Sequence, residues 1–292
     1  MKPKISVVTP CYNCEKYLLD TLNSVFRQTV LPNEIVLVDD GSTDSTVDLI
    51  EKIIVEHSEI NIRLIKQKNS GPGAARNAGI QASKGDWIAF LDSDDIWREK
   101  KIEKVLEAIV ENPEAIMIAN DICEVYEDGR RRDIFLHTYY NSNESGFVQL
   151  YHGCFLSTSS VCVKKEILEK VDGFDNTLRS AQDYDLWLRV SQEGKIVFIP
   201  EIFEEYRIRS GSVSGNVMLR YQCLLRICRK YADSLLEYMD KKQAKKYILR
   251  QVAAAHVGCV KGLKSQRQYI KILWLLIKMM LESINVLTGG YQ

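Results

Sequence analysis

The chain has 292 residues, 46% of them apolar, with 39 Lys and Arg against 39 Asp and Glu. This length suits one large domain or one and a half, with ample apolar content for a core. The zero net charge hides an uneven distribution. Residues 1–215 carry 25 basic and 35 acidic side chains, whereas residues 216–292 carry 14 basic and 4 acidic ones. We therefore expect an acidic body and a basic C-terminal part. The expected partners do not include nucleic acid.

Strand and helix patterns alternate from the start of the chain. In the first helical pattern Leu18, Leu22 and Val25 fall on one stripe, and Asn13 is its expected N-cap. Such alternation predicts a parallel sheet with helices on its faces. The apolar runs that we expect to form its strands are 5–9, 34–38, 62–66 and 87–91.

Three carboxylates follow the run at 87–91, in the order Asp92-Ser93-Asp94-Asp95. They would repel one another unless a cation or hydrogen bonds hold them. Oxygen ligands two residues apart suit Mg²⁺ or Mn²⁺, which keeps open positions for phosphate oxygens. The alternative is an acidic turn in which Asp94 or Asp95 caps a following helix.

Other polar residues are expected at the same edge of the sheet, where open α/β folds bind ligands. Asp39 and Asp40 follow the run at 34–38, Tyr12 follows the first strand, and Arg76 lies in a Gly-rich segment. The competing interpretation is helix capping for the two Asp residues and an ordinary surface position for Arg76.

Six segments of the chain share their composition and order with one known family. They are VTP (8–10) with YN (12–13), VDDGSTD (38–44), GPGAARNAG (71–79), FLDSDD (90–95), VDGFD (171–175) and QDYDLWLR (182–189). Together they resemble the inverting glycosyltransferases of family 2, which have the GT-A fold. Each segment alone is weak evidence, whereas the ordered set over about residues 4–215 is specific.

The resemblance implies a nucleotide-sugar donor, with a UDP-sugar expected. Asp39 is implied to accept the N3–H of a uracil or thymine ring, Tyr12 to stack on the base, and Arg76 to approach the base or diphosphate. Asp94 is implied to bind Mn²⁺ or Mg²⁺ directly, with Asp92 near the ribose or the metal. The expected donor-binding residues are Thr9, Pro10, Tyr12, Asp39, Arg76, Asp92 and Ser93.

An inverting transfer also needs a base, for which the resemblance implies Asp183. The residue opens an apolar helical pattern, where the helix dipole stabilises a carboxylate. The family usually has Glu-Asp here, whereas this chain has Gln182-Asp183. Asp185 is the rival base, and simple capping by both Asp residues is the alternative.

Two departures from the family refine the expected activity. Members often continue with Tyr-Arg-x-His, but this chain ends the pattern with Arg209, which stays protonated and cannot bind a metal. That leaves the third metal ligand open and suggests contact between Arg209 and the diphosphate. The Gln-x-x-Arg-Trp pattern of processive members is also missing after residue 183. We expect single additions to a saccharide or lipid-linked saccharide in cell-surface polysaccharide synthesis.

The expected organisation is a GT-A catalytic domain at 1–215 and a basic helical extension at 216–292. Within the domain, about 1–102 would form the nucleotide-sugar half and 103–215 the acceptor half. Helical patterns in the extension cover 217–231, 240–262 and 266–286. The last contains Trp274 and is too short to span a bilayer, but it suits a membrane interface. Packing on the catalytic domain or in a homodimer is the alternative.

The N-terminus and the cysteines indicate the location of the protein and the state of its thiols. No signal peptide precedes the first strand, so we expect a cytoplasmic protein, with peripheral contact at the inner face of the cell membrane left open. Cys11 and Cys14 have redox or zinc spacing, but no second pair completes a metal site, which favours reduced thiols. Cys123, Cys154 and Cys162 are expected to be buried.

Two other functional classes are alternatives to a sugar transferase. A nucleotidyltransferase would carry a Gly-rich, basic loop after the first strand, but this chain has Pro10-Cys11-Tyr12-Asn13-Cys14 there. A non-catalytic sugar-nucleotide-binding protein needs no base. The joint presence of Asp39, Asp94 and Asp183 therefore disfavours the non-catalytic alternative.

Overall fold

The computed structural model describes residues 3–209, 216–269, 271–272 and 274–275. The chain divides into two compact units, Met1–Ser210 and Gly211–Gln292. Most of the helix predicted at 266–286 lies outside the described residues.

The first part of the larger unit is a parallel sheet. Its strand order is β3-β2-β1-β4, and each of the four expected strands is confirmed. Helices connect the strands, as the alternation predicted. The elements are β1 (Ile5–Cys11), α1 (Glu15–Phe26), β2 (Glu34–Asp39), α2 (Thr46–Glu56), β3 (Ile62–Lys66), α3 (Pro72–Ala82) and β4 (Trp87–Phe90).

The second part extends this sheet with mixed strand directions. Its elements are β5 (Ile96–Trp97), α4 (Lys101–Glu111), β6 (Ala115–Tyr126), β7 (Arg131–Ile134), α5 (Gly146–His152), β8 (Val161–Lys164), α6 (Lys165–Lys170), α7 (Gln182–Val190) and β9 (Lys195–Ile208). In the described residues the sheet continues from β4 through β8, β6 and β9 to β5, and β7 pairs with β6. Strand β8 is antiparallel to both β4 and β6. The predicted α/β class is confirmed, although only the first part of the sheet is wholly parallel.

Burial explains why the first part folds in this way. Every residue of β2 is buried, as expected for a central parallel strand covered on both faces. Leu18, Leu22 and Val25 of α1 are fully buried in the core against these strands. Helix α3 approaches β1 so closely that a Cβ at Gly79 would lie 2.4 Å from a methyl carbon of Val8. Only glycine allows this packing.

Three local predictions are wrong. The residue before α1 is Cys14, not Asn13, whose side chain instead accepts a hydrogen bond from Thr43 N at 2.8 Å. No helix follows Asp95 directly, because the chain enters β5, so the capping alternative for the acidic segment fails. Cys154 is exposed, because it lies in the irregular segment after α5 and not in a strand.

The smaller unit contains α8 (Val217–Lys230) and α9 (Lys241–Ser265). The two helices pack through a cluster that includes Tyr221, Leu225, Cys259 and Leu263. Tyr221 also forms a 2.9 Å hydrogen bond between its hydroxyl and His256 Nε2. In the part of the chain that the structure describes, no helix is long and apolar enough to cross a membrane.

Candidate functional site

The loops after β1 and β2 are tied together at the carboxyl edge of the sheet. Ser42 Oγ accepts a hydrogen bond from Asn13 N at 3.0 Å. The carboxylate of Asp39 is nearly buried and accepts hydrogen bonds from Gly41 N and Ser42 N, both at 3.2 Å. Tyr12 projects from the adjoining loop with 51% of its surface exposed. An aromatic ring and a fixed carboxylate therefore lie on neighbouring loops.

Two residues near the end of β1, Thr9 and Pro10, differ in accessibility. Thr9 is completely buried, while Pro10 is partly exposed. Thr9 therefore forms part of the wall beneath the candidate site, and its side chain is not open to a ligand.

Asp40 fixes the loop that leads into α3, a role that the sequence analysis missed. Its Oδ1 accepts hydrogen bonds from Gln67 Nε2 at 2.7 Å and from Ser70 N at 2.8 Å. Its Oδ2 accepts one from Gly71 N at 2.8 Å. A buried carboxylate that satisfies backbone N–H groups stabilises a single loop conformation. Asp40 thus positions α3 and the arginine that it carries.

Arg76 joins three of the sequence segments. Its Nη2 lies 2.5 Å from Asp92 Oδ1, and its guanidinium lies 5.3 Å from the centre of the Phe174 ring. The next residue, Asn77, accepts a hydrogen bond from Phe174 N at 2.8 Å. Gly173 has φ +61°, and an added Cβ there would lie 2.4 Å from Asn77 Oδ1, so this contact requires glycine. The segments 71–79, 90–95 and 171–175 therefore meet at Arg76.

The acidic segment forms a turn that is held by Ser159. Ser159 Oγ accepts a hydrogen bond from Asp92 N at 3.0 Å and donates one to Asp95 Oδ2 at 2.6 Å. Asp94 lies on the other side of the turn, where its Oδ2 accepts a hydrogen bond from Arg209 Nε at 2.5 Å. Ser93 is nearly buried, and its carbonyl accepts a hydrogen bond from Thr21 Oγ1 at 3.0 Å. The turn presents Asp92 and Asp94 as its partly exposed carboxylates.

Burial and like charges perturb the titration of this region. Burial and then the charge of Asp92 raise the pKa of Asp94, and Arg209 opposes this shift. Burial, followed by the charge of Glu204, raises the pKa of Asp95 well above its usual range. Burial also raises the pKa of Glu204 to about 7. The segment therefore carries an excess of closely spaced carboxylates that a cation would stabilise.

A buried lysine lies beneath the acidic segment. Lys101 Nζ donates hydrogen bonds to the carbonyls of Ser159 at 3.1 Å and Ser160 at 3.2 Å, and it also bonds to Asn120. Burial lowers the pKa of Lys101 to about 8. Its charge partly offsets the buried carboxyl of Glu204.

Asp183 lies in the first turn of α7, as predicted, and is partly exposed. Its Oδ2 accepts a hydrogen bond from Thr158 Oγ1 at 3.3 Å, and its Oδ1 accepts one from Tyr184 N at 2.9 Å. The rival base, Asp185, is completely buried and forms an ion pair with Arg189 at 2.7 Å. This environment favours Asp183 over Asp185 as the group that can reach a substrate.

The residue before the candidate base has a packing role. Gln182 is buried, and an added Cβ at Gly73 would lie 3.0 Å from its side-chain amide. Its amide nitrogen donates a hydrogen bond to the carbonyl of Leu178. Gln182 thus connects the start of α7 to α3.

The segment 157–160 links the candidate base to the acidic turn, and sequence reasoning missed it. Thr158 contacts Asp183, while Ser159 contacts Asp92 and Asp95. Four consecutive hydroxyl residues directly before a strand were the available signal. No comparable signal marked Lys101 or Glu204. Each lies in an ordinary amphipathic pattern that is far in sequence from the segment 157–160, which it contacts.

The oxygen donors available to a hard divalent cation in this turn belong to Asp92 and Asp94. Asp92 and Asp94 each use one oxygen for an arginine, and no other described residue donates a hydrogen bond to Asp92 Oδ2 or Asp94 Oδ1. Within the described ranges, no three His, Cys, Asp or Glu side chains gather in a way that would enclose a metal. Two hard oxygen donors with open positions fit Mg²⁺ or Mn²⁺ whose remaining ligands come from a substrate and water.

Comparisons with known proteins place these features in context. The family model described as "Glycosyl transferase family 2" matches residues 6–171. TuaG of Bacillus subtilis (strain 168), a glycosyltransferase named for teichuronic acid biosynthesis, is 32% identical over 221 residues, which cover 74% of this chain and 83% of TuaG.

Two solved structures share the fold. TarS 1-349 of S. aureus, solved in complex with UDP-GlcNAc, matches with a TM-score of 0.70 and 23% identity, over 87% of this chain and 72% of that one. The mannosyltransferase PcManGT of Pyrobaculum calidifontis, solved with GDP-Man and Mn²⁺, matches with a TM-score of 0.66 and 17% identity, over 100% of this chain and 82% of that one.

Proposed function

Because the chain belongs to glycosyltransferase family 2, we propose that this glycosyltransferase moves single sugars from a UDP-sugar to an acceptor hydroxyl with inversion at the anomeric carbon. The observation that carries the proposal is the segment 157–160. It connects the carboxylate of Asp183 with the acidic turn through direct hydrogen bonds, because Thr158 donates to Asp183 while Ser159 accepts from Asp92 N and donates to the Asp95 carboxylate. A base and a diphosphate-binding edge in one site are what such a transfer requires.

The donor occupies the carboxyl edge of the parallel strands in this proposal. Tyr12 stacks on the base, and Asp39 accepts a hydrogen bond from it. Arg76 lies beside Asp92, where its guanidinium offers donors to the diphosphate or the ribose. Support for uridine comes from Asp39 and from TarS, which was solved with UDP-GlcNAc.

Asp183 is the base for the acceptor. Its carboxylate takes the proton of the acceptor hydroxyl while the oxygen attacks the anomeric carbon from the face opposite the diphosphate. The new C–O bond forms as the bond to the diphosphate breaks, and the diphosphate leaves with the bonding electrons. Thr158 holds the carboxylate in place through the 3.3 Å hydrogen bond.

Asp94, with Asp92, would hold the divalent cation. When bound, Mn²⁺ or Mg²⁺ supplies neutralising charge to the leaving diphosphate as a Lewis acid. Support comes from the two carboxylates with available oxygens and from PcManGT, which was solved with Mn²⁺.

The proposed acceptor is a saccharide or lipid-linked saccharide in cell-surface polysaccharide synthesis. TuaG, which is named for teichuronic acid biosynthesis, supports this assignment. In the proposed organisation, residues 1–215 form the catalytic domain, with the donor half at about 1–102 and the acceptor half at 103–215. Catalysis would take place on the cytoplasmic side, where nucleotide-sugars are made.

Helix α9 supports contact with an anionic membrane surface. Its basic side chains are exposed, and no ion pair involving them occurs among the described residues. Leu249 and Val257 are also exposed on this helix, at 37% and 52%. Exposed cations beside apolar side chains suit an anionic lipid surface, and a homodimer contact is the alternative. The basic residues are Lys241, Lys242, Lys245, Lys246, Arg250, Lys261 and Lys264.

The stereochemistry of the product tests the proposed reaction. The purified protein is incubated with α-linked UDP-sugars, Mn²⁺ and synthetic polyprenyl-diphosphate-linked saccharides, and the product is analysed by ¹H NMR. We expect one added sugar with the H1–H2 coupling of a β linkage. An α-linked product would refute inversion, and long chains of added sugars would refute single addition.

A further inference from the structure

Arg209 already places a positive charge on the carboxylate that is the proposed metal ligand. Its Nε donates to Asp94 Oδ2 at 2.5 Å, and the side chains of Arg209 and Asp94 retain 31% and 18% exposure. The guanidinium also lies 4.9 Å from the centre of the Tyr17 ring, a cation–π distance. The contact is therefore well defined but remains accessible from solvent.

The end of β9 brings Arg209 to this position. Arg207 N donates a hydrogen bond to Asp95 Oδ1 at 3.0 Å, which fixes the strand end against the acidic turn. The side chain of Arg207 takes a different partner, because its Nη2 donates to Asp20 Oδ2 at 3.1 Å. Both guanidinium groups lie near the Tyr17 ring, at 5.9 Å for Arg207 and 4.9 Å for Arg209, but only Arg209 uses its side chain to bind a carboxylate of the turn in which we propose the metal.

A guanidinium and a divalent cation compete for the same carboxylate. The arginine uses one oxygen of Asp94, and its charge repels a second cation that approaches the other oxygen. The side chain is long and partly exposed, so it can exchange Asp94 for another anion nearby. A diphosphate is such an anion, and its oxygens match the planar donors of arginine better than one carboxylate oxygen does.

Building on the proposed function, we propose that Arg209 is an internal counter-cation of Asp94. It opposes the binding of a free divalent cation and transfers to the diphosphate when the donor binds. Metal and nucleotide then bind as a strongly coupled pair. By linkage, the nucleotide raises the affinity for the metal by the same factor as the metal raises the affinity for the nucleotide.

Mn²⁺ binding, measured by the EPR signal of the free ion, tests this role without any assay of activity. In the absence of nucleotide, we expect Arg209→Gln to bind Mn²⁺ roughly tenfold more tightly than the wild type, within the usual range of coupling between sites. Addition of UDP should tighten Mn²⁺ binding strongly in the wild type and much less in Arg209→Gln. Arg209→Lys should restore part of the wild-type behaviour.

Arg207→Gln is the matched control, because it removes a guanidinium two residues away that pairs with Asp20. Its Mn²⁺ affinity without nucleotide should equal that of the wild type. Equal or weaker Mn²⁺ binding by Arg209→Gln without nucleotide would overturn the inference, provided that thermal melting shows the variant to be folded.

A parallel Mn²⁺ titration of Asp94→Asn separates the proposed metal site at Asp94 from the proposed role of Arg209. If Asp94→Asn binds Mn²⁺ as well as the wild type in the presence of UDP, the metal assignment is wrong, and the inference about Arg209 fails with it. If Asp94→Asn loses Mn²⁺ but Arg209→Gln behaves as the wild type, only the role of Arg209 is overturned.

Discussion

Three aspartates of the same chain are set apart by their surroundings. Asp94 is partly exposed beside Asp92 and Arg209, Asp183 is partly exposed beside Thr158, and Asp185 is sealed against Arg189. A carboxylate that must meet a cation or a substrate needs solvent access. A fully buried, paired carboxylate contributes to the stability of the fold instead.

We predict that Asp94→Asn abolishes most transfer and most metal-dependent donor binding, because an amide is a poor ligand for a hard cation. Transfer and donor binding are both measured over a range of Mn²⁺ concentrations. Wild-type turnover by this variant in Mn²⁺ would show that Asp94 does not hold the metal.

We predict that Asp183→Asn keeps its donor affinity but slows transfer by roughly 10²–10⁴-fold, the usual contribution of a general base. Donor binding should survive because the base faces the acceptor. Asp185→Asn is the matched control: it should lower the melting temperature, because it weakens the buried pair with Arg189, while folded molecules retain transfer. A normal rate for Asp183→Asn together with an inactive, folded Asp185→Asn would assign the base to Asp185.

At the scale of elements, the sequence predicted the four strands of the parallel sheet and the start of α7. The signals were local, because buried strands appear as apolar runs and motifs follow them directly. The contacts of Lys101 with Ser159 and Ser160, and those of Glu204 and Arg209 with the acidic turn, were not predictable. Each contact joins residues that are far apart in sequence and meet through strand pairing or helix packing, which no local pattern encodes.

Two buried ionisable residues, Lys101 of α4 and Glu204 of β9, make the unfolding free energy depend on pH. The pKa of Glu204 is about 7 in the folded protein, above the ordinary glutamate value of 4.5. Between these values the folded chain keeps a proton that the unfolded chain has released. The unfolding free energy therefore falls as the pH rises from about 4.5 to 7.

We predict that Glu204→Gln reduces this decline, with Asp95 still contributing to the remainder because its pKa is also raised. Urea unfolding at several pH values between 4.5 and 7 measures the slope. The same dependence in the wild type and in Glu204→Gln would contradict the assignment. The pKa of Lys101 is lowered to about 8, so its own contribution to the unfolding free energy rises with pH from about 8 to 10.5, whereas the raised pKa values of the buried thiols Cys162 and Cys228 act in the opposite direction above about pH 9.

At the scale of the whole molecule, the charge distribution separates an acidic part from a basic one. Residues 216–292 carry 14 basic and 4 acidic side chains, against 25 and 35 in residues 1–215. Each basic side chain near an anionic leaflet contributes about 1 kcal/mol, which decays over the Debye length. A few of the exposed lysines of α9 would thus be enough for salt-sensitive binding.

We predict that the protein sediments with phosphatidylglycerol-containing vesicles but not with pure phosphatidylcholine vesicles, and that high salt reverses the binding. Truncation near residue 265 should weaken it, and so should replacement of Lys245 and Lys246 by Glu. No sedimentation at low salt, with a dimer detected by light scattering, would instead identify residues 216–292 as a dimerisation element.

The proposed function requires one site that binds a nucleotide-sugar together with a divalent cation at Asp94. Thermal unfolding of the full chain is measured with a panel of nucleotide-sugars, each with and without Mn²⁺, for the wild type and Asp94→Asn. We predict that a UDP-sugar raises the melting temperature of the wild type only when Mn²⁺ is present, and that Asp94→Asn loses this increase. No increase with any nucleotide-sugar, or an equal one in Asp94→Asn, would contradict the claim.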